Sequence, residues 1–506
     1  MTQVSLVSID WLALSPVVAP VAGAMACLVL DAIFPRLVRP YGMVGVLALL
    51  AGLAFAVPAA LRPTGQPRRT LCLPSPDGTC LYEADRLVSA FQGAALASAL
   101  VILLLMWPRD EASDTQRGGP AVLVSLVLAA TAGAAGVAAA HDLGSWLVCL
   151  ELATLPVIAL VALRGTAAAG RGALALLTTS LVSFAMVALG AALWLTATGQ
   201  AVFAADAAHR ALADPHRRVV LLLGVLFLIA GLAFKLSLAP FHVWTPQAYV
   251  GASDPVAAFL AATSKVAALA ALLVVVRPIA VAGGPVLVAV GVLAAVSMTV
   301  GNLLALVQDD PIRLLAWSTV AQAGWVVLPL SVVQPASAAA SGGYLLAYLV
   351  ATLVAFTVVH LVGHSPAAAQ PSGAPTAPVP HERRTLAAYT GLLRSHPLLG
   401  GALGLALLSL AGLPPGVVGL VAKVVALRPV VGGGQWVLAL VAVANAVLGV
   451  AVYLRWFAVL LRDPEEGAPG PWLGRLPRAG LAALVLTGVA LIATSVMPQL
   501  LLGLLG

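Results

Sequence analysis

The chain has 506 residues, of which 61% are hydrophobic and only 9% are charged. Soluble domains carry roughly 25% charged residues, so this composition excludes an ordinary soluble protein and indicates a polytopic membrane protein. The net charge of +7 comes from arginines in the polar loops. It therefore bears on orientation in a membrane and gives no support for nucleic-acid binding.

Apolar segments long enough to cross a bilayer, about 20 residues each, follow one another along the chain. We predict an all-α fold with about fourteen spanning helices. They lie near residues 12–34, 42–60, 87–107, 120–140, 143–163, 173–197, 218–238, 255–276, 284–306, 312–333, 342–363, 398–428, 434–461 and 478–502. The first segment lacks the preceding basic residues of a signal peptide, so we expect it to be a true span.

The arginines in the loops predict how these spans are oriented. With residues 35–40 taken as cytoplasmic, thirteen loop arginines lie on the cytoplasmic face and nine on the other. Cytoplasmic loops retain more positive charge, which favours both termini on the outer face. Cys72 and Cys80 then face outside, where a disulfide is chemically permitted; the sequence leaves open whether it forms.

Four charged side chains stand inside apolar segments, where a charge costs at least ~2.5–3.5 kcal/mol. They are Glu151 and the chain's three lysines, Lys235, Lys265 and Lys423. A carboxylate and amines in such positions are most simply interpreted as a proton or cation path. A packing role for the same charges is the alternative, and the sequence does not establish how they pair.

Prolines stand near three of these charges, namely Pro156, Pro240 and the pair Pro414 and Pro415. Proline breaks a helix, and a break inside a membrane is tolerated where a cavity or neighbouring protein satisfies the freed carbonyls. Broken helices at corresponding positions of two halves are typical of inverted-repeat transporters.

The segment FKLSLAPFHVWTPQAYVGASDPVAAFLAATSKVAALA at 234–269 resembles the antiporter-like membrane subunits of respiratory complex I, the NADH–quinone oxidoreductase, and is most similar to its subunit N. Three further segments carry the resemblance, at 141–163, 301–330 and 386–427. It covers roughly residues 85–506, in order, and is thin before residue 85.

The resemblance implies two inverted five-helix repeats with broken helices, and four segments of the chain. These are helices 1–3 (1–119), a first repeat (120–283), a second repeat (284–462) that includes a Pro/Ala-rich loop at 364–385, and a final loop and helix (463–506). It also implies that Glu151, Lys235, Lys265 and Lys423 match the family's proton-path residues in helices 5, 7, 8 and 12.

Three further residues are secondary candidates. Subunit N usually carries a lysine early in helix 6, whereas the nearest base here is Arg171, which stays protonated and relays protons poorly. His242 follows a Pro-Phe step and is a proton-entry residue or a loop histidine. His360 is spaced four residues from His364, which suits a helix-end pair better than a metal site because no further ligand is nearby.

No C-x-x-C, haem-attachment or dinucleotide-binding pattern occurs, so we expect no cofactor or metal on this chain. The resemblance implies that NADH, FMN, iron–sulfur clusters and quinone bind partner subunits of the complex in a bacterial plasma membrane. A subunit of a multi-subunit Na⁺/H⁺ antiporter or membrane-bound hydrogenase, and a non-pumping membrane scaffold, remain as alternatives.

Overall fold

A computed structural model describes residues 9–34, 37–63, 65–72, 80–107, 118–279, 284–363, 385–463 and 476–503. These ranges contain thirteen helical stretches long and apolar enough to cross a membrane, each close to a predicted span. They are Trp11–Ile33, Arg39–Ala60, Arg86–Leu105, Gly119–Ala139, Leu143–Ala162, Ala167–Thr198, Pro215–Leu236, Asp254–Pro278, Val286–Leu306, Pro311–Ser331, Ser337–Gly363, Trp436–Leu461 and Arg478–Val496. The polytopic helical fold is confirmed.

The remaining predicted span, residues 398–428, is two half-helices, Pro397–Ala411 and Val417–Gly432. The first ends at Gly412, whose φ of +80° suits glycine because it has no Cβ. A Cβ on Gly419 would collide with the carbonyl oxygen of Ser409, so this glycine lets the two half-helices approach closely. Before them, Leu386–Ser395 meets Pro397–Ala411 at a bend of 119°, and counting that pair gives up to fourteen spans.

Three other spans are also interrupted. Leu143–Leu152 is followed by Leu155–Ala162, and Asp254–Ala261 by Thr263–Ile279. Helix Pro215–Leu236 stops short, and the chain continues through a turn into the short helix Trp244–Gly251. Each interruption leaves backbone carbonyl groups without helical partners, and these groups become available to side chains of neighbouring helices.

The structure adds two small elements that were not among the predicted spans. Strands Arg68–Cys72 and Cys80–Ala84 pair antiparallel, and a disulfide joins Cys72 to Cys80. A short helix, Ala205–Ala213, precedes helix Pro215–Leu236. A search for apolar runs of spanning length misses elements this short, because their side chains are mixed polar and apolar.

Burial distinguishes central spans from peripheral ones. Within an 18-residue stretch of each span, 89%, 94% and 89% of the residues are buried in Asp254–Pro278, Pro311–Ser331 and Ser337–Gly363. The corresponding share is 33% in both Trp11–Ile33 and Arg39–Ala60. Among the described residues, the exposed large apolar side chains all lie outside the three central spans, which suits contact of the outer helices with lipid. The predicted 364–385 loop lies, except for its last residue, outside the described residues.

Candidate functional site

Glu151 and Lys235 form an ion pair inside the helix bundle. Lys235 Nζ lies 2.9 Å from Glu151 Oε1 and donates a second hydrogen bond of 2.8 Å to the Thr154 hydroxyl. The lysine and glutamate side chains are 6% and 17% exposed. Glu151 and Thr154 flank the interruption between Leu143–Leu152 and Leu155–Ala162, so this interruption brings both acceptors to one ammonium group.

Lys265 is bound where helix Pro215–Leu236 ends. The next residue, Ser237, has a φ of +64° and turns the chain out of the helix. Lys265 Nζ donates hydrogen bonds of 3.0 Å to the backbone carbonyl of Lys235 and 2.6 Å to Ser237 Oγ. It also lies 4.9 Å from the ring centre of Trp244. The negative end of the helix dipole and the aromatic face both stabilise an ammonium group.

Lys423 has an equivalent environment in the other half of the chain. It donates hydrogen bonds to the carbonyl oxygens of Leu410 (3.2 Å) and Ala411, the last two residues of helix Pro397–Ala411. Its Nζ lies 5.8 Å from the ring centre of Trp325. Both buried lysines outside the Glu151 pair therefore lie at the C-terminal end of a helix, donate to at least one free backbone carbonyl there, and have a tryptophan nearby.

A hydroxyl cluster, made of two hydrogen-bonded groups, lies between the surroundings of these two lysines. We define it as Tyr249, Ser318, Thr319, Gln322, Tyr344, Tyr348 and Tyr453. On the Lys265 side, Tyr249 packs near Trp244, with 6.5 Å between ring centres, and its hydroxyl lies 3.5 Å from Thr319 Oγ1. Thr319 in turn lies 3.0 Å from the Tyr348 hydroxyl.

The other members of the hydroxyl cluster continue toward Lys423. The Tyr453 hydroxyl binds Ser318 Oγ at 2.6 Å and accepts a 2.9 Å hydrogen bond from Gln322 Nε2. Tyr344 donates to Gln322 Oε1 at 2.5 Å and stacks on Trp325, the ring beside Lys423. Neutral groups that both donate and accept hydrogen bonds therefore line the interior between the two lysines.

His242 and Arg171 occupy different surroundings. His242 lies half-buried in the turn after helix Pro215–Leu236, with its ring centre 5.2 Å from that of Trp317. Arg171 is exposed near the start of helix Ala167–Thr198.

The small cavity beside Lys235 also receives a side chain from helix Ala167–Thr198, but an apolar one. Leu176 lines this cavity together with Thr154 and Lys235. Subunit N usually has a lysine in this part of the helix. Here the helix places a leucine at the cavity beside Lys235.

His360 lies against a residue that the sequence analysis did not select. Its Nδ1 is 3.8 Å from Asp254 Oδ2, and both side chains are 10% exposed. The sequence signal was an aspartate directly before Pro255, a common helix start, which gives no indication of burial.

Thr154 and Ser237 were also not predicted from the sequence, because small hydroxyl residues are frequent in membrane helices. Among the described residues no group of three His, Cys, Asp or Glu side chains is arranged to hold a metal ion.

Interrupted spanning helices with buried charges at the breaks define a polytopic membrane protein of the transporter class. A family model described as "NADH:quinone oxidoreductase/Mrp antiporter, TM" matches residues 140–449, and the chain belongs to this family.

The chain is similar over nearly its whole length to complex I proteins. It is 36% identical to the NADH-quinone oxidoreductase subunit N 2 of Streptomyces griseus, over 97% of this chain and 92% of that protein. A chain in the structure of respiratory complex I from Thermus thermophilus matches with a TM-score of 0.76 and 31% identity, over 96% of this chain and 98% of that one. A chain of the Mrp complex from Dietzia has a TM-score of 0.79 at 21% identity, over 98% and 96% of the two chains, which shows a shared fold alone.

Proposed function

We propose that this chain is a membrane-arm subunit of a bacterial NADH–quinone oxidoreductase and that it translocates protons, driven by quinone reduction in another subunit. The matches to subunit N and to complex I support this proposal, because both extend over almost the entire chain at more than 30% identity.

The Glu151–Lys235 ion pair is the observation that carries the proposal. Two charges out of water stabilise each other only while both are present. A proton delivered to the Glu151 carboxylate cancels its charge and releases Lys235, which then passes a proton onward or moves toward other acceptors. A pair with two such states is what coupling to a distant redox event requires.

The proton path that we propose runs from Glu151 and Lys235 to Lys265, through the hydroxyl cluster, and on to Lys423. Hydroxyl and amide groups relay protons by accepting one hydrogen bond while donating another. His242, beside Trp317 next to this path, is proposed as a secondary residue. Arg171 is proposed only as a fixed positive charge at the start of its helix, because arginine does not give up its proton.

The two half-helix ends support the proposed repeats, residues 120–283 and 284–462. Lys265 binds at the end of Pro215–Leu236 and Lys423 at the end of Pro397–Ala411, each with a tryptophan beside it. We propose residues 1–119 and 463–506 as the flanking segments. NADH, FMN, iron–sulfur clusters and quinone belong, in this proposal, to partner subunits.

We propose further that the protein lies in the bacterial plasma membrane with both termini on the outer face. The arginine distribution supports this orientation, as does the disulfide between Cys72 and Cys80, which then faces the oxidising side. Arg455, in helix Trp436–Leu461, lies 3.4 Å from Asp309, which stands in a loop on the proposed cytoplasmic side.

The test is proton pumping by membrane vesicles that contain the whole complex and are supplied with NADH. Lys235→Ala is expected to lose pumping and quinone reduction together, at an assembly level matched to wild type. Arg210→Ala, which removes an exposed ion pair with Asp206, is the matched control and is expected to pump normally.

The scaffold alternative makes a different prediction for the same vesicles. If Glu151 and Lys235 only fix packing, the double variant Glu151→Leu with Lys235→Leu removes both charges together and is expected to assemble and pump. In our proposal it assembles and does not pump. Purification of the complex tests the antiporter alternative. If NADH oxidation activity copurifies with this chain, the chain is not a subunit of a separate antiporter.

A further inference from the structure

Asp254 and His360 form a second buried acid–base pair, separate from the Glu151–Lys235 pair. Asp254 is the first residue of helix Asp254–Ala261, and His360 stands in the last turn of helix Ser337–Gly363. Their 3.8 Å contact joins two of the most buried spans at one end of the bundle. A histidine beside a carboxylate exchanges protons readily near neutral pH.

His360 borders an open cleft at one end of the bundle. His360 lines a cleft of about 530 Å³ together with Trp107, at the end of one span, and Arg478, at the start of another. Those helix ends and Gly363 all lie at the same end of the bundle. In the orientation proposed above, this is the cytoplasmic face.

The pair also leads inward, along the helix that carries His360. Residues four apart lie on one face of a helix, and the stripe that begins at His360 continues through Phe356 and Thr352 to Tyr348. Tyr348 belongs to the hydroxyl cluster and lies 3.0 Å from Thr319. Phe356 is the apolar step in the stripe, and its ring packs 6.2 Å from that of Tyr249, another member of the cluster.

Three other polar or charged side chains bear on this pair. Arg478 lines the cleft beside His360. Arg164 donates hydrogen bonds to the backbone carbonyls of Val250, Gly251 and Ala252, just before Asp254. Tyr389 is buried near enough to Asp254 to be influenced by its charge. One arginine therefore lines the cleft beside His360, and a second is bound to the backbone that leads into Asp254.

We propose that Asp254 and His360 form a proton-loading site, which takes protons from the cleft beside Trp107 and Arg478 and supplies them to the hydroxyl cluster. The proposal rests on the proposed function. The imidazole accepts a proton from water in the cleft, the carboxylate stabilises the imidazolium, and the proton then leaves along the helix stripe. A pair that merely ties two helices together has no need to place its histidine both at a cleft and on the helix face that leads to Tyr348.

The test uses the same vesicles with three variants of the pair, at matched assembly. His360→Gln keeps a polar side chain of similar size beside Asp254 but cannot take up a proton. We expect it, and Asp254→Asn, to lower the pumping rate at least about fivefold, as the loss of a positioned acid–base group does. Asp254→Glu is expected to keep most of the pumping. His216→Gln, an exposed histidine after Asp214, is the control and is expected to pump normally.

Chemical rescue separates proton loading from packing. In His360→Ala, added imidazole is expected to enter the cleft and restore pumping, whereas pyrazole, which has the same shape but is not protonated near neutral pH, is expected to have no effect. Normal pumping by His360→Gln, or equal rescue by both compounds, overturns the proposal. If Lys235→Ala loses pumping while the His360 variants keep it, only the loading site fails. If Lys235→Ala also pumps normally, the proposed function fails as well.

Discussion

Lys265 donates a hydrogen bond to the backbone carbonyl of Lys235, the residue whose own ammonium group is paired with Glu151. Lys235 therefore binds two buried charged groups: its side chain binds Glu151, and its backbone carbonyl binds Lys265. The carbonyl is free because the helix ends at Leu236 and Ser237 turns away. Any shift that extends this helix by a turn withdraws the carbonyl from Lys265, which ties the position of the helix break to the stability of the second charge.

The ion pair gives the first prediction. Glu151→Gln leaves the Lys235 ammonium buried beside a neutral amide, and breaking a buried pair in this way costs about 3–5 kcal/mol. We expect Lys235 to lose its proton or move, and NADH-driven pumping to fall at least about tenfold. Glu83→Gln breaks an ion pair with Arg69 in the strand hairpin and serves as the control. Equal pumping by both variants contradicts the role of Glu151.

Thr154 gives the second prediction, because its hydroxyl accepts the other hydrogen bond of Lys235. Thr154→Val has nearly the same shape but leaves that bond unmade, at a cost of about 1–3 kcal/mol. We expect slower pumping with normal assembly, measured as protons moved per NADH oxidised and as initial rate. Thr154→Ser keeps the hydroxyl and is expected to restore the rate; a serine variant as slow as the valine variant assigns the effect to packing instead.

The third prediction separates the hydroxyl of Ser237 from its backbone. Ser237→Gly removes the 2.6 Å acceptor of Lys265 but relieves the positive φ. Ser237→Ala removes the same hydroxyl and keeps the strain of about 1–2 kcal/mol. We expect both to reduce pumping similarly, while thermal inactivation shows the alanine variant to be the less stable. If only the less stable alanine variant pumps slowly, the effect comes from lost stability, and the Ser237 hydroxyl has no direct role in pumping.

Lys423→Arg gives the fourth prediction. The guanidinium keeps the positive charge at the half-helix end but does not release a proton. We expect the complex to assemble, as judged by native electrophoresis, and pumping to fall at least about tenfold. Arg428→Gln changes an exposed charge on the same helix and is expected to have no effect. Pumping by Lys423→Arg at the wild-type rate would show that only the charge is needed there.

The disulfide provides the fifth prediction, which concerns orientation. After reduction, Cys72 and Cys80 are expected to react with a membrane-impermeant maleimide added to intact spheroplasts, because the hairpin faces outward in the proposed topology. A Cys72→Ser, Cys80→Ser variant is the labelling control, since the two other cysteines lie within spanning helices. Labelling only in inside-out vesicles reverses the assigned topology.

The sequence by itself determined the membrane fold and the four principal charges. Apolar runs of spanning length leave few alternatives to helices, because a backbone in lipid must satisfy its own hydrogen bonds. Glu151, Lys235, Lys265 and Lys423 stood out for the same energetic reason, since a charge in an apolar run is costly and therefore conspicuous. The break before Lys423 was also visible in Pro414 and Pro415.

Only the tertiary structure decided which groups bind these charges. Lys423 is held by two backbone carbonyls, and Lys265 by one carbonyl and the Ser237 hydroxyl. Every residue possesses a backbone carbonyl, so no side-chain pattern reveals these acceptors. The Asp254–His360 contact joins residues 106 positions apart, and an aspartate before a proline is typical of an ordinary helix start. The strand hairpin was not predicted, because its five-residue strands are much shorter than the apolar segments that indicate a membrane span. Local apolarity specifies where helices cross the membrane, whereas pairing between distant helices depends on packing in three dimensions.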